Sequence, residues 1–285
     1  MLKKTQAAVA IAIGFAFVIP TFADPATTGY AEVNGLKIYY EVHGTGKPVV
    51  VLHGAYMSTG MMRPMIDGLA KTRQVIAMDF QAHGRTTDTD RPISYEQMAD
   101  DVAALMQGVG VPQADVFGYS MGAGVAYQLA VRHPGRVGRL AAASATYKTE
   151  GMYPELVAML GQRTAESFAG TSWETEYKKI APKPEDFPKL VEKLIKLDVP
   201  PQDWPAEDIK EIKAPTLVIS ADADVVKPEH STEIFRLRGG GPSADFMSAP
   251  AAELAILPGT THIGIMERTE LLVPMVSAFF DKEIK

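Results

Sequence analysis

The chain has 285 residues, with 28 Lys and Arg against 34 Asp and Glu, and no Cys. With 46% hydrophobic and 22% charged residues it falls in the ordinary globular range, which excludes a disordered, collagen-like or fibrous protein. Lack of Cys excludes a disulfide framework, a thiolate nucleophile and Cys-ligated zinc, and an acidic balance without a basic tract argues against nucleic acid as a partner.

In chain order, Lys3 and Lys4 precede an apolar run from Ala7 to Ile19, then Pro20 and the small-residue pattern Thr21-Phe22-Ala23. This order predicts a secretory signal over residues 1–23, cleaved near Ala23, and an exported protein, periplasmic or secreted. The run falls short of the about 20 residues needed to span a bilayer, and no other segment is long and apolar enough. No stable membrane span is therefore expected after cleavage.

Tyr30 to Gly44 alternates loosely around the Asn34-Gly35 turn signal and reads as an antiparallel hairpin at a sheet edge. Pro48–Leu52, Val75–Met78, Asp115–Phe117, Leu140–Ala143, Thr216–Ile219 and Leu254–Leu257 are short apolar runs of the kind buried on both faces. Helical patterns lie between them, the clearest being Met98, Val102, Leu105, Met106 and Val109 behind a Ser94-x-x-Gln97 capping box. Such alternation predicts an α/β fold: a mostly parallel sheet of eight strands with helices on both faces.

The alternation stops between Lys148 and Ala206, where Leu190, Val191, Leu194 and Leu197 recur at helical spacing and Thr171-x-x-Glu174 forms a second capping signal. We expect a small helical insertion over residues 148–205, dividing a core of 24–147 and 206–285. Met152, Tyr153, Phe168, Trp173 and Tyr177 should mostly pack within it. Arg238 to Pro250, with Gly239-Gly240-Gly241-Pro242, reads as a long surface loop.

Gly118-Tyr119-Ser120-Met121-Gly122 matches G-x-S-x-G between an apolar strand run and a helical pattern, the context in which a tight turn exposes a nucleophilic serine. A serine hydroxyl needs a neutral imidazole to take its proton and a carboxylate to orient that imidazole. His262, in the Gly-containing loop after the last strand run, is the candidate base. Ser220-Ala221-Asp222-Ala223-Asp224 offers two acids after the preceding strand run, of which one suffices. His53 and His83 read as loop-ordering, His133 as a helix end, and His230 as part of a polar stretch. No spacing suits a metal site, and Gly44-Thr45-Gly46-Lys47-Pro48 lacks the phosphate-loop spacing.

On these motifs the chain resembles the α/β-hydrolase fold superfamily, in its small esterase, lactonase and perhydrolase-like members, over about residues 30–147 and 206–283. The order Ser120, Asp224, His262 fits the family's nucleophile, acid and histidine, and the resemblance favours Asp224 over Asp222. It implies that the backbone N–H groups of Ala55, in His53-Gly54-Ala55-Tyr56, and of Met121 form an oxyanion hole. Asp79-Phe80-Gln81-Ala82-His83-Gly84-Arg85-Thr86 resembles the family's D-x-x-G-x-G-x-S loop, with Ala82 at the first glycine position.

The expected function is thus a cofactor-free serine hydrolase cleaving small apolar esters or lactones through an acyl-enzyme. The alternatives are a perhydrolase or haloperoxidase-like enzyme and a non-catalytic ligand-binding protein on the same fold. Tyr56, Met57 and Tyr119 are expected in the substrate pocket. Met61, Met62 and Met65 read either as part of a permissive apolar pocket or, for Met62 and Met65, as the buried face of a helix.

Overall fold

The computed structural model describes residues 27–199, 202–246 and 251–283. The expected signal over 1–23 lies outside the described residues. Eight strands form one sheet: β1 (Thr27–Val33), β2 (Leu36–His43), β3 (Lys47–Leu52), β4 (Arg73–Met78), β5 (Ala114–Tyr119), β6 (Val137–Ala143), β7 (Thr216–Ala223) and β8 (Ala252–Thr261). Their spatial order is β1-β2-β4-β3-β5-β6-β7-β8. Asn34 and Gly35 take φ of 49° and 80°, the left-handed pair that a two-residue hairpin needs, and so pair β1 antiparallel with β2. β2 is also antiparallel to β4, and the remaining pairs are parallel.

The parallel strands read as continuous apolar runs because both faces of the sheet are covered. On one face, α1 (Arg63–Leu69) and α9 (Thr269–Phe280) bury Met65, Ile66, Leu272 and Val276 against Val49, Val51 and Phe117. On the other, α2 (Tyr95–Gly108) and α3 (Met121–Arg132) bury Met98, Val102, Val125 and Leu129 against Val50 and Val116. Ser94 caps α2 by accepting the Gln97 N–H at 3.2 Å. β8 departs from the sequence expectation: it is the edge strand, so its residues are only partly covered, and Ile256 is exposed.

Between β6 and β7 the chain runs through α4 (Pro154–Leu160), α5 (Ser172–Ile180), α6 (Phe187–Asp198) and α7 (Ala206–Glu211). Thr171 caps α5, but the Glu174 carboxylate accepts from Gly170 N–H rather than closing a box on Thr171. Phe168 and Tyr177 pack against Phe187. Lys193 of α6 ties this segment to the core by ion pairing with Asp88 and donating to the carbonyls of Thr89 and Arg91. After α8 (Pro228–Leu237), the expected surface loop begins on a buried residue. Arg238 there donates to the carbonyls of Ile209, Lys210 and Ala214, satisfying chain ends that would otherwise be orphaned. Residues 247–250 of that loop lie outside the described residues.

Chain direction across the sheet reverses between β3 and β5, which lie side by side although β4 separates them in sequence. Such a switch point opens a crevice at the carboxyl ends of the strands. The segments that follow β3, β5, β7 and β8 all emerge there.

Candidate active site

Ser120 sits between the last residue of β5 and the first of α3, with φ of 53°. A non-glycine residue in the left-handed region costs about 1–2 kcal/mol. The neighbouring glycines make the turn possible. A Cβ at Gly118 would collide with the Gly122 carbonyl oxygen and stand 2.7 Å from the Ala123 Cα, and one at Gly122 would collide with the carbonyl oxygen of Leu52. Hence the motif serine is presented by backbone packing too close for any side chain at its flanks.

Ser120 Oγ lies 3.0 Å from His262 Nε2, and His262 Nδ1 lies 2.7 Å from Asp224 Oδ1. His262 follows β8, Asp224 follows β7, and Tyr119 holds the histidine loop by donating its hydroxyl to the His262 carbonyl at 2.9 Å. The buried Asp224 also accepts from Ser144 Oγ at 2.6 Å and from the N–H groups of Ala221 and Val226. Burial works to raise the Asp224 pKa, but the hydrogen bond and charge of His262, together with Ser144 and the Ala221 amide, outweigh it and hold the carboxyl below its ordinary range. Asp224 therefore stays ionised beside the imidazole.

Asp222 points elsewhere. Its exposed carboxylate accepts from the N–H groups of Gly259 at 2.8 Å and Thr260 at 3.0 Å, ordering the loop that leads to His262. Ala55 and Met121 line the same cavity as Ser120. Met121 is the first residue of α3, so helix geometry leaves its N–H without an intrahelical acceptor at the positive end of the helix dipole.

His53, His83, His133 and His230 make structural contacts. His53 donates from Nδ1 to its neighbour's carbonyl and accepts the Phe80 N–H on Nε2, which fixes it as neutral and ties the ends of β3 and β4 together. His83 bonds to the Gln81 carbonyl. His133 caps α3 and meets Asp100. His230, in its polar stretch, is buried, stacked on Tyr147 and bonded to Glu233. Among the described residues no group of three or more His, Asp and Glu stands close enough to hold a metal ion.

A cavity of about 540 Å³ opens over Ser120 and His262. Tyr56, Met57 and Tyr119 line it, whereas Met62 and Met65 are buried on the α1 face of the sheet and are core residues. From the helical segment come Met152, Leu156, Leu160, Trp173 and Leu194, so Met152 and Trp173 face the cavity rather than packing only within the insertion. Sequence reading missed Ser144, which stands at the carboxyl end of β6, one strand over from the nucleophile; that strand-end position was the available signal. It also missed Tyr95, Arg163 and Asp198, whose place in the cavity depends on how the helical segment folds back.

The family model for the alpha/beta hydrolase fold matches residues 47–181. The chain is 34% identical over 122 residues to "Putative carbamate hydrolase RutD" of Azorhizobium caulinodans, covering 43% of this chain and 46% of that protein. It is 32% identical over 110 residues to the 2-hydroxymuconate semialdehyde hydrolase of Pseudomonas sp. (strain CF600), covering 37% and 39%. The match thus spans less than half the length of these curated relatives. A solved structure described as "Est816 as an N-Acyl homoserine lactone degrading enzyme" superposes with a TM-score of 0.69 at 26% identity, covering 88% of this chain and 99% of that one. The chain has the α/β-hydrolase fold, and both of these curated relatives carry hydrolase names.

Proposed function

We propose that this protein is an exported serine hydrolase that cleaves carboxylic esters or lactones of small, largely apolar molecules. The observation that carries the reading is the hydrogen-bonded line from Ser120 Oγ through His262 to Asp224, at 3.0 and 2.7 Å, within an apolar cavity. In this reading the neutral His262 Nε2 takes the hydroxyl proton as Ser120 Oγ bonds to the acyl carbon. The carbonyl oxygen becomes an anion that the N–H groups of Ala55 and Met121 stabilise. As the C–O bond to the leaving group breaks, His262 returns the proton to the departing alkoxide. Water then enters by the same route in reverse, giving the acid and free Ser120. Asp224 keeps the proton on Nδ1 and stabilises the imidazolium formed between these steps.

Tyr56, Met57 and Tyr119 would contact the substrate. Export rests on the pattern from Lys3 to Ala23. Among the described residues no helix is long and apolar enough to cross a membrane.

The test is turnover of p-nitrophenyl esters and of simple lactones by the wild-type protein and by Ser120→Ala. Hydrolysis that disappears in the variant supports the reading, and hydrolysis that persists at the wild-type rate removes it. Adding peroxide and halide to the same assay separates perhydrolysis from hydrolysis.

A further inference from the structure

The walls of the cavity are mostly apolar, but among the polar side chains that line it are Tyr56, Tyr95, Arg163 and Asp198. Arg163, in the turn after α4, donates from Nε to the Leu160 carbonyl at 2.7 Å and pairs through Nη2 with Asp198 at the end of α6. Its guanidinium lies over the Tyr56 ring, 5.7 Å from the centroid. Tyr95, the first residue of α2, is within reach of the charges of both Arg163 and Asp198.

Tyr56 carries two local costs at once. Its φ is 64°, in the left-handed region, and its buried side-chain hydroxyl has no acceptor for its proton among the described residues, since the Arg163 guanidinium beside it can only donate. The residue as a whole is only 8% exposed. A buried hydroxyl normally donates its proton, and one beside a ligand cavity that does not is a donor waiting for an acceptor. Packing alone would be served as well by Phe.

We propose that Tyr56, flanked by Tyr95 and the Arg163–Asp198 pair, forms a second recognition subsite for an uncharged oxygen acceptor, a carbonyl or hydroxyl, carried on the substrate away from its scissile acyl group. This rests on the hydrolase reading of Ser120 and narrows the substrate class to neutral, bifunctional esters or lactones. Arg163 and Asp198 cancel in charge, so a carboxylate at the same place gains no net attraction and must also be desolvated. Burial, the largest influence on Tyr56, pushes its pKa up to about 12, so the hydroxyl keeps its proton at physiological pH.

The experiment uses p-nitrophenyl esters of straight chains six to ten carbons long, ended in methyl, methyl ketone or carboxylate. Affinity is read by calorimetry on Ser120→Ala, with and without Tyr56→Phe. The ratio of kcat/KM between esters is read in the wild-type protein and in the Tyr56→Phe single variant, both with Ser120 intact. At the best length the ketone should bind about five- to tenfold more tightly than the methyl ester, as one hydrogen bond predicts, with the carboxylate no tighter than the ketone. Tyr56→Phe should erase that preference in binding and in the kcat/KM ratio without lowering the melting temperature, since it removes an unsatisfied group. Equal affinities when Tyr56 is present, a preference that survives Tyr56→Phe, or tightest binding of the carboxylate would each overturn the subsite. Because affinity is measured without turnover, failure of the subsite is distinct from failure of the hydrolase reading, which shows as no Ser120-dependent hydrolysis of any ester.

Discussion

Ser144 Oγ donates a 2.6 Å hydrogen bond to Asp224 Oδ2, while His262 Nδ1 engages Oδ1 of the same carboxylate at 2.7 Å. The ends of β6 and β8, on either side of the strand that leads to Asp224, therefore hold one oxygen each, and the carboxylate plane that aims His262 at Ser120 is set by a residue outside the serine, acid and histidine. Ser144 takes φ of 55°, a strained conformation held where the hydroxyl meets the acid.

Loss of that bond should show in turnover more than in binding. Ser144→Ala is expected to lower kcat about tenfold with little change in KM, since a hydrogen bond to a charged group contributes about 1.5–3 kcal/mol and part of that is recovered by the Ala221 and Val226 amides. Asp224→Asn, which presents the wrong partner to Nδ1, should cost roughly 10⁴ in kcat. Steady-state kinetics on a p-nitrophenyl ester measure both; equal effects of the two substitutions would contradict the assigned roles.

Gly122 is a packing requirement. A Cβ there would collide with the Leu52 carbonyl oxygen and stand 2.6 Å from that of His53, both backbone atoms that cannot swing aside. Gly122→Ala should destabilise the fold by about 3 kcal/mol or more through overpacking, read as a lower midpoint in urea. Gly108→Ala, where a Cβ meets nothing within 4 Å, serves as the control and should leave that midpoint unchanged or slightly raised.

Stability should fall on acidification through the buried histidines. Burial pushes His53 down to about 3, helped by the charge of His83, and pushes His83 down to about 4. Both folded values lie below the unfolded one, so their contribution is complete above pH about 6.5 and is lost as pH falls toward 4. Asp79 acts with the opposite sign: burial raises it to about 6 against the Arg85 and Thr59 amides, so its ionisation costs stability as pH rises through that range. The two histidines outweigh the one carboxyl. Urea midpoints should therefore drop between pH 6.5 and 4.5, and His83→Gln should flatten the profile by about 2 kcal/mol.

Much of the architecture was legible because parallel strands buried on both faces leave uninterrupted apolar runs, and because Asn34-Gly35 and Ser94-x-x-Gln97 signal locally what they do. Ser120 and His262 were readable from the strand, turn and loop contexts that present them. Asp224 required resemblance, since Asp222 has the same residue type two positions away and only the path of the chain decides which one meets the imidazole. Ala82 shows how a departure from a motif is absorbed: it takes φ of 62°, the left-handed conformation a glycine would adopt, within a loop clamped by Asp79. Edge position hid the partial exposure of β8, and burial of Arg238 and His230 depends on partners distant in sequence. Tyr95, Arg163 and Asp198 stayed invisible for the same reason.

Export is checked independently of catalysis. The N-terminal sequence of protein recovered from the periplasm or medium of an expressing bacterium should begin at Asp24; an N-terminus that retains Lys3 and Lys4 would contradict cleavage near Ala23.

The central claim is that the hydroxyl of Ser120 is activated by His262. Intact-mass spectrometry after treatment with an alkyl fluorophosphonate tests it most directly, because the probe traps only a serine whose proton has somewhere to go. One adduct per chain is expected on the wild-type protein and none on Ser120→Ala. An unmodified wild type, or an adduct that survives the substitution, would contradict it.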